Sequence, residues 1–257
     1  MTTITTNGYT VVTGASQGIG ACFAEALAKR GKSLILVART RTKLEALATS
    51  LREKYAVRVE VLVADLGLTA SAAEVAAHCA SFSVDGLINN AGCGLGDEFA
   101  HESLDRVVEM LNLNIVTLTA LTHLLIPSLR KSRGVIVNIA STAAFQPVPY
   151  MAAYAASKAY VLHWSEALHE ELRADGIYVL TLCPGATTTG FFGTAGIEAR
   201  RLRFPVQTPE AVVRTALRAW DSGRAVAISG WKNRLLVLGR FAPRWMLVRM
   251  STLMMGH

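Results

Sequence analysis

Short β-branched runs separated by longer helix-patterned segments limit most sharply what this chain can fold into. The runs fall at 9–13 (YTVVT), 33–38 (SLILVA), 58–63 (RVEVLV), 84–89 (VDGLIN), 134–140 (GVIVNIA), 177–183 (IYVLTLC) and 225–229 (AVAIS). Most are nearly unbroken apolar stretches, as expected of strands buried on both faces of a parallel sheet. Helical patterns occupy 18–30, 41–55, 69–81, 102–129, 150–174 and 208–222, with Thr42-Lys43-Leu44-Glu45 placed to form a capping box for the second. The alternation predicts an α/β chain with a doubly wound parallel sheet of about seven strands and helices on both faces. No repeat, low-complexity tract or linker interrupts it, so residues 1–257 read as one domain.

Composition narrows the class. The 257 residues are 51% hydrophobic and 18% charged, which supplies a large core and excludes a disordered chain. The opening MTTITTNGYTVV lacks a basic region leading into an apolar run, so it does not read as a signal peptide. No uninterrupted apolar segment approaches the ~20 residues that span a bilayer, and a cytoplasmic location is expected. Cys22, Cys79, Cys93 and Cys183 show no CxxC or Cys/His ligand spacing and read as reduced thiols. His169-Glu170 is not followed by the second histidine of a zinc helix, because Arg173 stands there, and no metal site is expected. The net charge of +7 is uneven: residues 1–195 hold 15 Lys+Arg against 16 Asp+Glu, and residues 196–257 hold 11 against 3. That asymmetry concerns partners rather than fold.

Two local patterns carry chemistry. Residues 13–20 read TGASQGIG, so Gly14, Gly18 and Gly20 lie where the first strand turns into the first helix. Glycine permits a tight turn and close approach of backbone to a pyrophosphate, and the helix N-terminus offers N–H groups to it. In the fifth long helical segment, Tyr154 and Lys158 are four apart and share a helix face. A free tyrosine has a pKa near ~10; a neighbouring ammonium favours the phenolate and brings that value toward working pH.

The glycine spacing is GxxxGxG, and further marks follow it in order: Asn89-Asn90-Ala91-Gly92 after the fourth strand, Asn114 in LNLN, Ser141 in NIAS, YxxxK at Tyr154 and Lys158, and Pro184-Gly185 with Thr189 as PGxxxT. From about residue 9 to about 230 this set resembles the short-chain dehydrogenase/reductase superfamily, with its Rossmann-like fold. The resemblance implies a catalytic tetrad of Asn114, Ser141, Tyr154 and Lys158. Tyr154 would be the general acid/base. Lys158 would be its electrostatic partner and a donor to the nicotinamide ribose. Ser141 would donate to the substrate oxygen, and Asn114 would hold a water in a proton relay. It also implies cofactor contacts from Gly14, Ser16, Gly18, Ile19 and Gly20, from Asn90, Ala91 and Gly92, and from Pro184, Gly185, Thr187 and Thr189, with Thr189 on the carboxamide. Asp65-Leu66 is similar to the family's adenine-contact pair, and Asp65 can equally be a helix cap.

Cofactor choice turns on the end of the second strand. An acidic residue about 20 positions after the glycines binds the ribose 2′-hydroxyl of NAD. Here the strand ends Val37-Ala38-Arg39-Thr40. A guanidinium can fork onto a phosphate, so Arg39 predicts NADP(H). The segment 143–151 and Gly190-Phe191-Phe192, at the start of an expected substrate loop at 190–205, point to an apolar carbonyl or alcohol substrate: a ketone, aldehyde, steroid-like or 3-oxoacyl compound. Two other functions stay open, a catalytically silent dinucleotide sensor and an epimerase or dehydratase. The intact tetrad argues against the first, and the short chain against the second.

Partners are read from the helices and the tail. The resemblance implies a homodimer or homotetramer paired through the 102–129 and 150–174 helices. The segment 231–257 mixes apolar residues with Lys232, Arg234, Arg240, Arg244 and Arg249, and Pro243 divides it into two amphipathic pieces. It can pack on the domain or a sister subunit, lie on an anionic membrane, or dock an anionic carrier. No nucleic-acid reading motif accompanies the charge, so no such partner is expected.

Overall fold

Apolar runs such as SLILVA have no exposed face to spare, and the fold buries them on both sides. The structure is a computed structural model and describes residues 8–189, 206–239 and 243–254. Among these, seven strands form one parallel sheet: β1 (Tyr9–Thr13), β2 (Ser33–Ala38), β3 (Val59–Val63), β4 (Val84–Asn89), β5 (Val135–Ile139), β6 (Tyr178–Cys183) and β7 (Val226–Ile228). Their order is β3-β2-β1-β4-β5-β6-β7. β1 is flanked by β2 and β4, with Val11 opposite Ile35 on one side and Leu87 on the other. Chain connections leave in opposite directions at this point, and a doubly wound sheet opens a ligand crevice there.

Two apolar layers hold the helices. On one face α1 (Gly18–Ala28), α2 (Arg41–Tyr55) and α7 (Pro209–Asp221) pack through Phe23, Leu27, Leu44, Leu51, Val212 and Ala216 onto Val12, Leu36, Val137 and Leu182. On the other, α3 (Ser71–Cys79), α5 (Leu118–Ser132) and α6 (Ala152–Glu171) bring Val75, Leu121, Leu125, Leu129 and Leu168 onto Val11, Ile35, Leu87 and Ile136. Arg30 donates two bonds to Asp221, at 3.0 and 2.8 Å, and ties α1 to α7. At the N-terminal edge of the sheet the fully buried Asp85 accepts from Lys32 at 2.8 Å and from Thr10 at 3.1 Å.

Two expectations are corrected. The capping box at 42–45 is not made: α2 starts at Arg41 after an extended Thr40, which places Thr42 inside the first turn, and Glu45 instead faces Arg41 at 3.8 Å. The 102–129 pattern is a rod of three parts, α4 (Leu104–Leu111), a π-helical turn (Asn112–Thr117) and α5. This rod, Leu104–Ser132, is long and apolar enough by length and composition to cross a membrane, although no uninterrupted apolar run exists in it. Here it flanks β4 and packs beside α3 and α6. Two further helices close the described chain, α8 (Trp231–Leu238) and α9 (Arg244–Met254).

Candidate active site

The carboxyl ends of β1, β4, β5 and β6 meet around the crevice. Gly14 and Gly18 have φ of +63° and +58°, the left-handed region where a side chain is strained. A Cβ on Gly20 would collide with the Gly14 carbonyl and the Asn90 carboxamide, so the turn has room for glycine alone. Helix α1 begins after Gln17, which makes no side-chain cap, and its first turn holds no acidic residue. That end is left open for an anion. The residues present therefore fit a dinucleotide's pyrophosphate. Ser16 and Ile19 are half-buried there, Ile19 against the apolar layer behind it.

The turn is braced by the end of β4. Thr13 Oγ1 accepts from the Asn90 and Ala91 amides at 2.9 and 3.0 Å, and the Asn90 carboxamide donates to the carbonyls of Thr13 and Gly14. Behind it runs a buried polar chain that the sequence did not disclose. Asn89 donates to Thr122 and Asn138 at 2.8 Å each, and Asn138 to Ser165 at 2.9 Å.

Asn114 sits fully buried in the π-helical turn, a feature frequent at functional sites. Its amide donates to the Cys93 carbonyl at 2.9 Å and to Ser157 at 3.0 Å, and its oxygen accepts from the Cys93 amide at 3.1 Å. Ser157 in turn donates to the Tyr154 carbonyl at 2.7 Å. Both donors of the side chain are thus committed to protein. A Cβ on Gly92 would stand 3.1 Å from Asn114 Oδ1 and 3.4 Å from Lys158 Nζ, so this glycine is where the two groups converge.

Helix α6 presents Tyr154 and Lys158 to the same space, and both are buried, 8% and 5% exposed. Ser141 caps the short 3-10 helix Thr142–Phe145, accepting from the Ala143 amide at 3.1 Å, and its hydroxyl bonds Tyr154. Lys158 Nζ donates to the Ile139 carbonyl at 2.9 Å and lies 5.9 Å from the Tyr154 ring centre. Burial pushes the phenol up to about 12, opposed by the Ser141 bond, and burial brings Lys158 down to about 8. The phenol thus moves up where the ammonium was expected to draw it down, because loss of water dominates. Tyr150, just ahead of α6, holds a left-handed φ of +62°, an uncommon state for a large side chain.

The remaining residues fall in two groups. After β6, Pro184 is buried and its carbonyl accepts from the Thr142 amide at 2.8 Å. The Thr187 hydroxyl turns back to the Gly185 carbonyl at 2.9 Å. Thr189 faces the glycine turn so closely that a Cβ on Gly18 would be 2.9 Å from its methyl. Gly185 is covered by Asn233, which donates to Gln207 and to the Ser229 carbonyl. At the ends of β2 and β3, Arg39 is exposed, 4.0 Å from Asp65 and 3.9 Å from Glu109. Asp65 accepts from the Gly67 amide at 3.0 Å, and Leu66 is buried. Lys43 on α2 donates to Gln17 at 3.0 Å and joins this end to the glycine turn. The expected loop at 190–205 lies outside the described residues. Glu109, Gln207 and Asn233 carry no local motif and were not expected; nor were Cys93, beside the Asn89–Gly92 motif, and Ser157, within YxxxK.

The fold and site have known relatives. The family model for short chain dehydrogenases matches residues 9–198. A short-chain dehydrogenase from Sphingobium yanoikuyae, solved in complex with NADPH, is 38% identical with a TM-score of 0.82, over 86% of this chain and 87% of that one. The bulky-bulky ketone specific alcohol dehydrogenase from Comamonas testosteroni is 33% identical with a TM-score of 0.78, over 91% and 92%. The very-long-chain 3-oxoacyl-CoA reductase of Anas platyrhynchos is 35% identical over 215 residues, 81% of this chain and 67% of that protein. The chain belongs to the short chain dehydrogenase family and is an oxidoreductase of that family.

Proposed function

We propose that the protein is an NADPH-dependent reductase of apolar carbonyl compounds, with Tyr154 as proton donor. The observation that carries this reading is the buried phenol bonded to Ser141 with Lys158 beneath it. A neutral phenol at pH 7 is the form a proton donor must have. The dinucleotide supplies the hydride when bound. Ser141 then orients the carbonyl oxygen: its own oxygen is fixed by the Ala143 amide, and its hydroxyl, which bonds Tyr154 here, turns to the substrate oxygen that enters between them. Tyr154 gives its proton to the developing alkoxide. Lys158, held by Ile139, stabilises the phenolate left behind, where charge is worth more than in water. Because both donors of the Asn114 amide are committed, it holds the Gly92–Cys93 turn, and any water of the relay has only its remaining oxygen lone pair to use.

NADPH is favoured over NADH by Arg39 at the end of β2 and by the absence of an acidic residue there. The NADPH complex of the 38%-identical dehydrogenase supports it. An apolar substrate is supported by the cluster around Tyr154, formed by Leu95, Val107, Met110, Val148, Met151 and Ala155. Relatives that act on bulky ketones and 3-oxoacyl-CoA point the same way. We also propose pairing of copies through the rod and α6, where Leu104, Val108, Val116, Leu124 and Tyr160 are exposed; light scattering should return at least a dimer.

The test is NADPH consumption against ketones from aliphatic to steroidal and 3-oxoacyl. Wild type should turn over the apolar members. Tyr154→Phe should bind NADPH normally and lose about 10²–10⁴-fold in hydride transfer. Near-normal transfer in that variant, or no turnover of any carbonyl, would refute the reading.

A further inference from the structure

The C-terminal helices are amphipathic the wrong way round for a tail that only packs. On α8, Asn233 and Val237 are buried, one turn apart. On the opposite side stand Trp231, Leu235 and Leu238, at i, i+4 and i+7, exposed by 67%, 57% and 58%. On α9, Leu247 and Ser251 face the domain, and Ser251 accepts from Gln146 at 3.1 Å. Trp245 lies on the far side, 64% exposed, with Met246, Val248 and Met250 also exposed. A surface helix of a water-soluble domain turns its polar face outward. Here both tryptophans and most of the larger apolar side chains point out, while the inward face holds only Val237 and Leu247 beside the polar Asn233 and Ser251.

Charge selects what can cover this face. Residues 222–257 contain six basic residues and no Asp or Glu. A second copy of the chain related by a two-fold axis would set that excess against itself, with no acidic residue in the segment to relieve it. A nucleic acid would answer the charge and leave the Trp and Leu stripe uncovered. Anionic lipid answers both: indole and leucine enter the acyl boundary while lysine and arginine stay at the headgroups.

We propose that α8 and α9 form an interfacial docking face for an anionic bilayer. The face adjoins the substrate side of the crevice. α9 is tied through Gln146 to the segment that Ser141 caps, and Asn233 of α8 covers Gly185. Docking there sets the mouth of the site against lipid, so that an apolar carbonyl compound enters from the membrane rather than from water. This last step rests on the proposed reductase function; the docking itself does not.

The experiment sediments the full-length, cofactor-free protein with vesicles of phosphatidylcholine, with and without phosphatidylglycerol, at low and high salt. Binding should require phosphatidylglycerol and weaken with salt. Lys232→Gln, Arg244→Gln and Arg249→Gln should each lower it about fivefold. Trp231→Ser and Trp245→Ser should lower it about tenfold each, with melting temperature and dinucleotide binding unchanged. No binding to phosphatidylglycerol vesicles overturns the proposal. So does binding insensitive to the two tryptophans, or a dimer that the Trp→Ser variants dissociate while vesicles are ignored. Docking without turnover of any carbonyl would leave this face standing and remove the reductase reading, so the two claims fail separately.

Discussion

The two ends of the crevice are built differently. At the β5–α6 end every polar group of the tetrad is fixed. Lys158 is held by Ile139, Ser141 by Ala143 and Tyr154, and Asn114 by Cys93 and Ser157, and of the four only Ser141 is more than 8% exposed. At the β2–β3 end Arg39 stands in solvent, 3.9–4.0 Å from two carboxylates and bound tightly to neither. Exposed pairs at such distances are worth little. Proton chemistry needs preorganised groups, whereas a phosphate-selecting arginine can be ordered by the ligand itself. The comparison teaches that the proposed proton donor is preorganised by the fold, whereas the proposed choice of cofactor rests on one exposed side chain.

Lys158→Met should break the buried end most. Loss of one preorganised charge costs about 10²–10³-fold in turnover. In wild type, burial has lowered Lys158 to about 8, so carbonyl reduction should slow as pH rises through that value and the charge is lost. A pH profile with no limb near 8 in wild type would contradict the role.

Arg39→Asp should act next most strongly, and only on cofactor choice. Hydrogen bonds to charged groups contribute ~1.5–3 kcal/mol, so kcat/KM for NADPH over NADH should fall roughly 10–100-fold. A wild type that prefers NADH would remove the premise.

The smallest effect is on stability, and its sign is opposite. Lys158 is titrated down from 10.5 to about 8 in the folded state. Its buried charge therefore costs stability fully below about 8, and the cost is relieved as pH climbs toward 10.5. The shift is roughly 3 kcal/mol, and about 1 kcal/mol returns through the Ile139 bond. Lys158→Met should then melt a few degrees higher at pH 7, by about 2–4 °C per kcal/mol, with the gain shrinking by pH 10. A lower melting temperature at pH 7 would show that the Ile139 bond outweighs desolvation.

Much of this contrast was legible in residue order. Each strand is placed to within one residue at either end, because a short, mostly apolar β-branched run bounded by helix-patterned segments fits a buried parallel strand. The glycine turn was legible because Gly14 and Gly18 mark backbone that other residues strain to adopt. The capping box at 42–45 failed because a capping signature does not say which residue is last outside the helix; Thr40 took that place. Glu109 and Asn233 were illegible for a different reason. Each reaches the site from an element far away in sequence, and nothing local distinguishes a crevice-facing side chain from an ordinary one. The direction of the Tyr154 shift was missed because spacing reveals the neighbouring charge but not the loss of water.

The most direct test of a divided crevice is the double variant Tyr154→Phe/Arg39→Asp, with hydride transfer to one ketone measured for both cofactors in wild type, each single variant and the double. The account predicts that the effects multiply: Tyr154→Phe lowers transfer by the same factor with NADPH and NADH, and the Arg39→Asp change in preference is the same in either tyrosine background. A preference that disappears when Tyr154 is replaced would contradict it, because the exposed arginine would then be acting through the buried tetrad.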